Sequence, residues 1–432
     1  LSQKGGRVEI TRPGMTEWYE NSPSGLEQGF NLDRRPIGAG ALVLELQVHG
    51  AHASLDNRSI VLTSEAGRRL RYGKLVAWDA AGIELASRFE VASPDHLRLV
   101  VEDLEATYPI VIDPLITAIP DTTLESNIAW SGSFDSTSFG ASLSGAGDVN
   151  GDGWDDIVIG AFGYDNGLFD EGAAFVFLGS ASGIIGTDPA SAHAVLLGDD
   201  AAGEFGNSVA GAGDVNGDGY ADIIVGAHIY DSTIAGGTLA VQGAAFIFYG
   251  SAVGISGSGP SSADASLFGN QLDSRLGHTV AGAGDINNDG FADIIVGSPR
   301  KGVPFGPPIA ENQASGNGGA ALIFHGSGAG ITGTGFSDAD RVIFPCPPGA
   351  PTASQGQLGV DVAAAGDVNG DGFDDVLVGA SGEFMVFHGG ATGIIGTDPT
   401  SAETRILSSV SITVGTLVSG AGDVNGDGFD DI

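Results

Sequence analysis

"GAGDVNGDGWDDIVIGA", residues 145–161, sets four aspartates and an asparagine in a short glycine-rich stretch and follows them at once with apolar, β-branched residues. The pattern returns as "GAGDVNGDGYADIIVGA" from 211, "GAGDINNDGFADIIVGS" from 282, "AGDVNGDGFDDVLVGA" from 365 and "GAGDVNGDGFDDI" from 420. Numbered from its first aspartate, the first loop has Asp148, Asn150, Asp152 and Asp156 at positions 1, 3, 5 and 9. Position 6 is Gly153, where the chain must turn sharply, and position 7 is Trp154, which offers its carbonyl. This alternation places successive oxygens on one side of a tight turn. A hard divalent cation needs that arrangement: Ca²⁺ takes about 6–8 oxygens at roughly 2.3–2.6 Å, whereas Mg²⁺ prefers a stricter octahedron with retained water.

The other loops offer the same donors. They are Asp214, Asn216, Asp218, Tyr220 and Asp222; Asp285, Asn287, Asp289, Phe291 and Asp293; Asp367, Asn369, Asp371, Phe373 and Asp375; and Asp423, Asn425, Asp427, Phe429 and Asp431. A turn whose Asp and Asn only cap local amides would explain one copy. Five copies that keep positions 1, 3, 5, 6 and 9 argue for coordination, since three carboxylates so close would otherwise repel or protonate. Position 8 drifts between Asp (155, 374, 430) and Ala (221, 292), as expected where no ion is held. EF-hands and dockerins share the spelling but need a carboxylate at position 12 and helical flanks. Position 12 here is Ile159, Val225, Val296 or Val378, inside an apolar run, so the flank is read as a strand.

The opening aspartates are separated by 66, 71, 82 and 56 residues, too irregular for identical solenoid coils but suited to a unit of several strands with variable loops. Each unit opens on an apolar residue and glycine: Phe139-Gly140, Phe205-Gly206, Leu276-Gly277, Leu358-Gly359 and, more weakly, Val414-Gly415. A small-residue strand, the acidic loop and an apolar strand such as "DIIVGA" follow. A third strand such as "GAAFIFYGS" from 243 and a fourth such as "AVLLGDD" complete the unit. Four short strands per repeat are the signature of a propeller blade. The expected fold is all-β, with four blades and part of a fifth over 139–432. A separate β-rich domain spans 1–117, and 118–138 forms a linker in which "NIAW" (127–130) supplies an outer strand of a neighbouring blade. A Pro/Gly/Asn-rich insertion lengthens the third unit over 300–319.

With Phe-Gly followed by "GAGDVNGDGxxDIIVGA", the chain resembles the FG-GAP repeat that builds the seven-bladed propeller of integrin α subunits and many bacterial surface proteins. The resemblance covers roughly residues 130–432, and the family's Ca²⁺ ligands map onto the positions named above in each loop. The terminal GAP is changed to Gly160-Ala161-Phe162, Gly226-Ala227-His228, Gly297-Ser298-Pro299 and Gly379-Ala380-Ser381. Four blades and a fragment do not close a seven-bladed ring, so the chain is expected to continue beyond Ile432. The part ending "YPIVIDPLI" resembles the β-rich segment that precedes such repeats in large bacterial secreted proteins.

The 432 residues carry 17 Lys and Arg against 54 Asp and Glu, a net charge of −37. Such a charge argues against nucleic acid or an anionic membrane as partner, and bound cations would reconcile it with a folded chain. Cys346 is the only cysteine, which excludes an intrachain disulfide and a thiolate zinc cluster. No apolar run has membrane-spanning length; "ALVLELQV" is short and carries Glu45. Catalytic patterns fail as well. Gly328, Gly330 and Gly333 fit a G-x-G-x-x-G but lack a following helix. The eight histidines never fall in H-E-x-x-H spacing, and His228, His325 and His388 sit at strand ends. Nothing pairs Glu171, Glu204 or Glu383 as acid and base, and Asn57-Arg58-Ser59 is a bare glycosylation sequon. The expected function is non-catalytic: an extracellular or cell-surface scaffold for adhesion, binding a protein or glycan, with one structural Ca²⁺ per loop. Two rivals are an accessory, carbohydrate-binding region of a secreted polysaccharide- or lipid-degrading enzyme, and a plain spacer.

Overall fold

The computed structural model describes all residues except 1, 5–6, 23–24, 39, 57, 66, 119–122, 127–136, 182, 235–236, 240, 271–272, 300–317, 346–356 and 408–413. The proposed outer strand at 127–130, nearly all of the 300–319 insertion, Cys346 and Asn57 therefore lie outside the described residues. Backbone contacts divide the chain into Leu1–Thr123 and Leu124–Ile432.

The first unit is built of β1 (Ser2–Lys4), β2 (Arg7–Arg12), β3 (Met15–Ser22), β4 (Gly25–Leu32), β5 (Leu42–Gln47), β6 (Ala51–Asp56), β7 (Ser59–Ser64), β8 (Arg69–Trp78), β9 (Ser87–Ser93), β10 (His96–Val101) and β11 (Ile110–Ala118). Eight of these form one antiparallel sheet in the order β1-β2-β3-β4-β11-β8-β7-β6, and β5-β10-β9 form a second. Alternation drives their packing. In "LVLELQ" of β5, Leu42, Leu44 and Leu46 turn inward while Val43, Glu45 and Gln47 are exposed. The inward faces meet around Phe30, Ile60, Tyr72, Leu97, Leu99, Ile110 and Ile112, with the Tyr72 and Phe89 rings 5.2 Å apart. Strands β2 to β4 carry little strand signal: their sequence, "RVEITRPGMTEWYENSPSGLEQGFNL", is rich in charged and polar residues, with Trp18, Phe30 and Leu32 as its buried apolar side chains.

The second unit holds four successive four-stranded antiparallel sheets, each a meander in chain order. The first has strands Ser142–Gly147, Asp156–Ala161, Ala173–Phe177 and Ala194–Leu197. The second has Ser208–Gly213, Asp222–Ala227, Ala244–Phe248 and Ala265–Phe268, with a small ribbon of Ser232–Ile234 and Gly237–Leu239 between its second and third strands. The third and fourth blades begin at Val280–Gly284 and Val362–Gly366 and end at Arg341–Ile343 and Thr404–Leu407.

The middle strands of a blade are apolar on both faces because blades stack on both sides of them. In the second blade Ile223 and Val225 pack toward the first blade with Val158, Val176 and Phe205. Ile224, between them in sequence, packs toward the third blade with Ile294 and Leu322. The next junction repeats the rule with Ile295, Val376 and Val378. A period of two residues then yields a continuous apolar run, since both faces are interior.

Outer strands also join blades. The N–H groups of Leu197, Phe268 and Phe344 donate to the carbonyls of Ser258, Thr334 and Thr397 in the following blade, at 2.9, 2.9 and 2.8 Å. Glu125 makes the same bond to Thr187 of the first blade, at 2.9 Å. The segment around Glu125 therefore stands where the fourth strand of a preceding blade would stand.

Candidate metal sites

The first four acidic loops each close the hairpin between the first and second strands of a blade, and the fifth is pinned by a single bridge between Gly422 and Asp431. A β-bulge, such as the register shift between Gly145 and Gly147, precedes each of the four, and the aspartate at position 9 opens the second strand opposite Gly147, Gly213, Gly284 or Gly366. Position 12 falls within a strand in all four blades. At position 6 the glycines have φ of +90, +90, +92, +88 and +90°. That is the left-handed region where a side chain is costly.

The five loops fold alike. The carboxylate at position 1 accepts backbone N–H groups from its own turn: Asp214 takes Gly217, Asp218 and Gly219 at 2.7, 3.1 and 2.8 Å. Asp367 and Asp423 do the same, while Asp148 and Asp285 take positions 5 and 6. The Asn at position 3 accepts from the N–H at position 5 in the first four loops. The Asp at position 5 accepts from that at position 7 in all five. Position 9 is different. Asp156, Asp222, Asp293 and Asp375 are buried, and each spans two elements. Asp222 takes the N–H of Val215 at 2.9 Å with one oxygen and that of Gly250, beyond the third strand, at 2.8 Å with the other.

The electrostatics show how close these acids lie. Burial pushes Asp222 up to about 7; the bonds from Gly250 and Val215 oppose the rise, and the charges of Asp214 and Asp218 add to it. Asp293 is raised to about 7 for the same reasons, with Asp289 and Asp285 as the neighbouring charges. At Asp423, by contrast, the Gly428 N–H leads a set of backbone bonds that lower it.

Of the unit's residues from 124 on, 5 are basic and 37 acidic, a net −32 of the chain's −37. Eighteen of those acids lie in the five loops, and no lysine or arginine pairs with them in any ion pair among the described residues. Among the described residues no three His, Cys, Asp or Glu side chains form a ready-made metal cage; the loop carboxylates turn toward backbone N–H groups instead. The donor set fits a hard cation nonetheless. It is all oxygen, it repeats in each loop, and it carries a negative charge that the protein's own cations leave unbalanced.

Position 8, which holds no ion in the sequence pattern, works at the blade junction. Its N–H donates to the position-1 carbonyl of the preceding loop: Ala221 to Asp148 at 3.1 Å, Ala292 to Asp214 at 3.0 Å, Asp374 to Asp285 at 3.3 Å and Asp430 to Asp367 at 3.1 Å. In the fourth and fifth loops, where it is Asp, its carboxylate also accepts the position-1 N–H of the loop before, Asp285 to Asp374 at 2.7 Å and Asp367 to Asp430 at 2.9 Å. The position-2 carbonyls of Val149, Val215 and Ile286 accept from Ser251, Ser327 and Gly390 of the following blade, at 3.1, 3.0 and 3.0 Å. The aromatic at position 7 lies over position 4 of the loop before it, where a Cβ on Gly151, Gly217 or Gly370 would come within 2.7, 2.5 and 2.6 Å of Tyr220, Phe291 and Phe429. The third loop has Asn288 at that place, and its side chain donates to the Gly372 carbonyl at 3.1 Å. No sequence signal marked this coupling beyond the choice between Asp and Ala at position 8.

Glu171, Glu383 and Glu204, outside the loops, have structural partners. Glu171 is buried and accepts the N–H groups of Asn166 and Leu168, both at 2.6 Å. Glu383 pairs with Arg405 at 2.6 Å, and Glu204 lies 3.5 Å from His228. The His228 ring meets His278 edge to face at 5.3 Å. Among the described residues, no helix is long and apolar enough to cross a membrane.

Residues 139–177, 205–248, 276–324 and 358–395 match the FG-GAP repeat. Each match begins on the apolar-glycine pair and runs to the third strand or just past it. Integrin alpha pat-2 of Caenorhabditis briggsae is 37% identical over 168 residues, covering 36% of this chain and 13% of that protein. Integrin alpha-IIb of Homo sapiens is 34% identical over 194 residues, 44% of this chain and 16% of that protein. Phosphatidylinositol-glycan-specific phospholipase D of Bos taurus is 33% identical over 171 residues, 39% and 19%. The chain spans less than a fifth of the length of these relatives.

Proposed function

We propose that this chain, an FG-GAP repeat protein with an integrin α-like β-propeller region and a β-rich N-terminal region, is an extracellular or cell-surface scaffold for adhesion or for recognition of a protein or glycan. In this reading each acidic loop holds one Ca²⁺ through the side chains at positions 1, 3, 5 and 9 and the carbonyl at position 7. The ion's role is structural. It neutralises clustered carboxylates and stiffens a loop that is hydrogen-bonded to the blade after it, so that metal binding and blade packing reinforce each other. The carrying observation is the buried aspartate at position 9, pushed up in the second and third blades by burial and by its own loop's acids. Calcium titrated into chelator-treated protein, followed by calorimetry, tests it. Saturable binding near one ion per loop, at about 10⁻⁴–10⁻³ M, supports the reading, and an absence of binding at 10-fold higher calcium refutes it.

The likeness to the phospholipase D favours a second reading, in which the repeats are a non-catalytic accessory region of a larger enzyme acting on lipid or polysaccharide. A catalytic domain in a longer chain carrying this segment would favour that reading; further repeats with a surface anchor would favour adhesion.

A further inference from the structure

In the N-terminal unit an eight-stranded sheet faces one of only three strands. Strand β5 pairs with β10 on one side, and among the described residues no strand pairs with its other side. The register tells what that free edge presents. The Val48 N–H donates to the Asp95 carbonyl at 2.8 Å, so Leu46, Leu44 and Leu42 direct their backbone groups toward β10. Val43, Glu45 and Gln47 direct theirs outward.

Two cavities of about 550 and 480 Å³ lie end to end along this edge and share Met15 and Leu44. Their floor is formed by the larger sheet, with the partly buried Met15 and Ile116 beside the fully buried Phe30. The polar groups on the floor are already satisfied. The Glu17 carboxylate accepts from Arg12, Tyr19 and Gln28 at 2.7, 2.7 and 3.0 Å, and the Tyr72 hydroxyl donates to Gln28 at 2.7 Å. The apolar side chains of Met15, Leu44, Leu46 and Ile116 along the groove are only partly buried. At the Leu42 end the groove is basic. Arg35 is paired with Asp103 at 3.1 Å, while Arg34 has no acidic partner in the described ion pairs and leaves a net positive charge.

We propose that the free edge of β5 receives one extended strand of a protein partner by β-addition. The strand runs antiparallel to β5, sets apolar side chains at alternate positions onto the floor, and ends in acidic residues beside Arg34. Six residues of β5 offer an edge of about 20 Å, enough for a typical strand. Every ladder in this unit is antiparallel, which places the partner's carboxyl end at the Arg34 end. An unblunted edge beside an apolar groove is a template for pairing.

The test uses the full chain and a synthetic peptide of four alternating valine–threonine pairs followed by two aspartates. Amide hydrogen exchange should slow at least 10-fold at Val43, Glu45 and Gln47 when the peptide is added. Val43→Pro removes an outward N–H that an edge strand can lose without unfolding, and it should weaken binding at least 10-fold. Should that variant fail to fold, Arg34→Glu is a surface change that should reverse the preference for the aspartate peptide over one ending in two lysines. No protection at millimolar peptide, unchanged binding to Val43→Pro, or equal binding of the two peptides to the wild type would overturn the proposal. So would saturable binding of decanoate without any peptide effect, which would mark the groove as a site for a small amphiphile.

Discussion

Replacing Asp222 by Asn separates a metal ligand from a turn cap, because the two roles give different calcium dependence. The side chain is buried and accepts two N–H groups, from Val215 and Gly250. Asn keeps one acceptor oxygen and turns an amide toward the other N–H, which leaves a buried donor unpaired at about 1–3 kcal/mol. The substitution also removes a buried charge that Asp214 and Asp218 oppose. In chelator the two effects offset, and the net loss should be under about 2 kcal/mol. Calcium adds a term that only the wild type gains in full. At an affinity of about 10⁻⁴–10⁻³ M, 10 mM calcium stabilises one site by RT ln(1 + [L]/Kd), about 1.4–2.7 kcal/mol. Melting of both proteins by differential scanning calorimetry, in chelator and in 10 mM calcium, measures the difference of differences. The gap should widen by that amount when calcium is added. An identical gap in both buffers would refute the reasoning and leave Asp222 as an acceptor for backbone groups alone.

Within one loop, Gly217→Ala should destabilise more than Gly219→Ala by about 1–3 kcal/mol. Both glycines have positive φ, but only the Cβ at 217 meets the Phe291 ring; equal losses in chemical denaturation would remove the aromatic from the blade junction. His228 is held down to about 4 by burial, then by His278 and Arg275, whereas the unfolded imidazole titrates near 6.5. The unfolded chain thus takes up the proton first. This group's contribution is full above about pH 6.5 and is lost as pH falls toward 4, by at most about 3 kcal/mol. His228→Gln should be measurably less sensitive to pH across that window, and a slope identical to the wild type's would count against the burial argument. Tyr72→Phe orphans the buried Gln28 oxygen and should lower the N-terminal unit's stability by about 1–3 kcal/mol in urea; an unchanged midpoint would mean the oxygen finds another donor.

The sequence by itself determined the blades and the turns between their first two strands. Runs such as "DIIVGA", β-branched and bounded by aspartate and glycine, read as strands, and the glycine at position 6 states the turn's left-handed backbone in the amino-acid code. These are local properties, set within a dozen residues by sterics and by the two-residue period. Tertiary structure decided what each loop faces. Position 8 varies because its neighbour is another blade some 60 to 90 residues away, and no short window of sequence records that distance. Nor could composition show that the aspartate at position 9 reaches across to Gly250, or that β1 to β4, polar along much of their length, complete a sheet whose far side β5 leaves open. Hydrogen-bond partners and uncovered edges exist only once remote segments have met, so burial and pairing had to be seen in space.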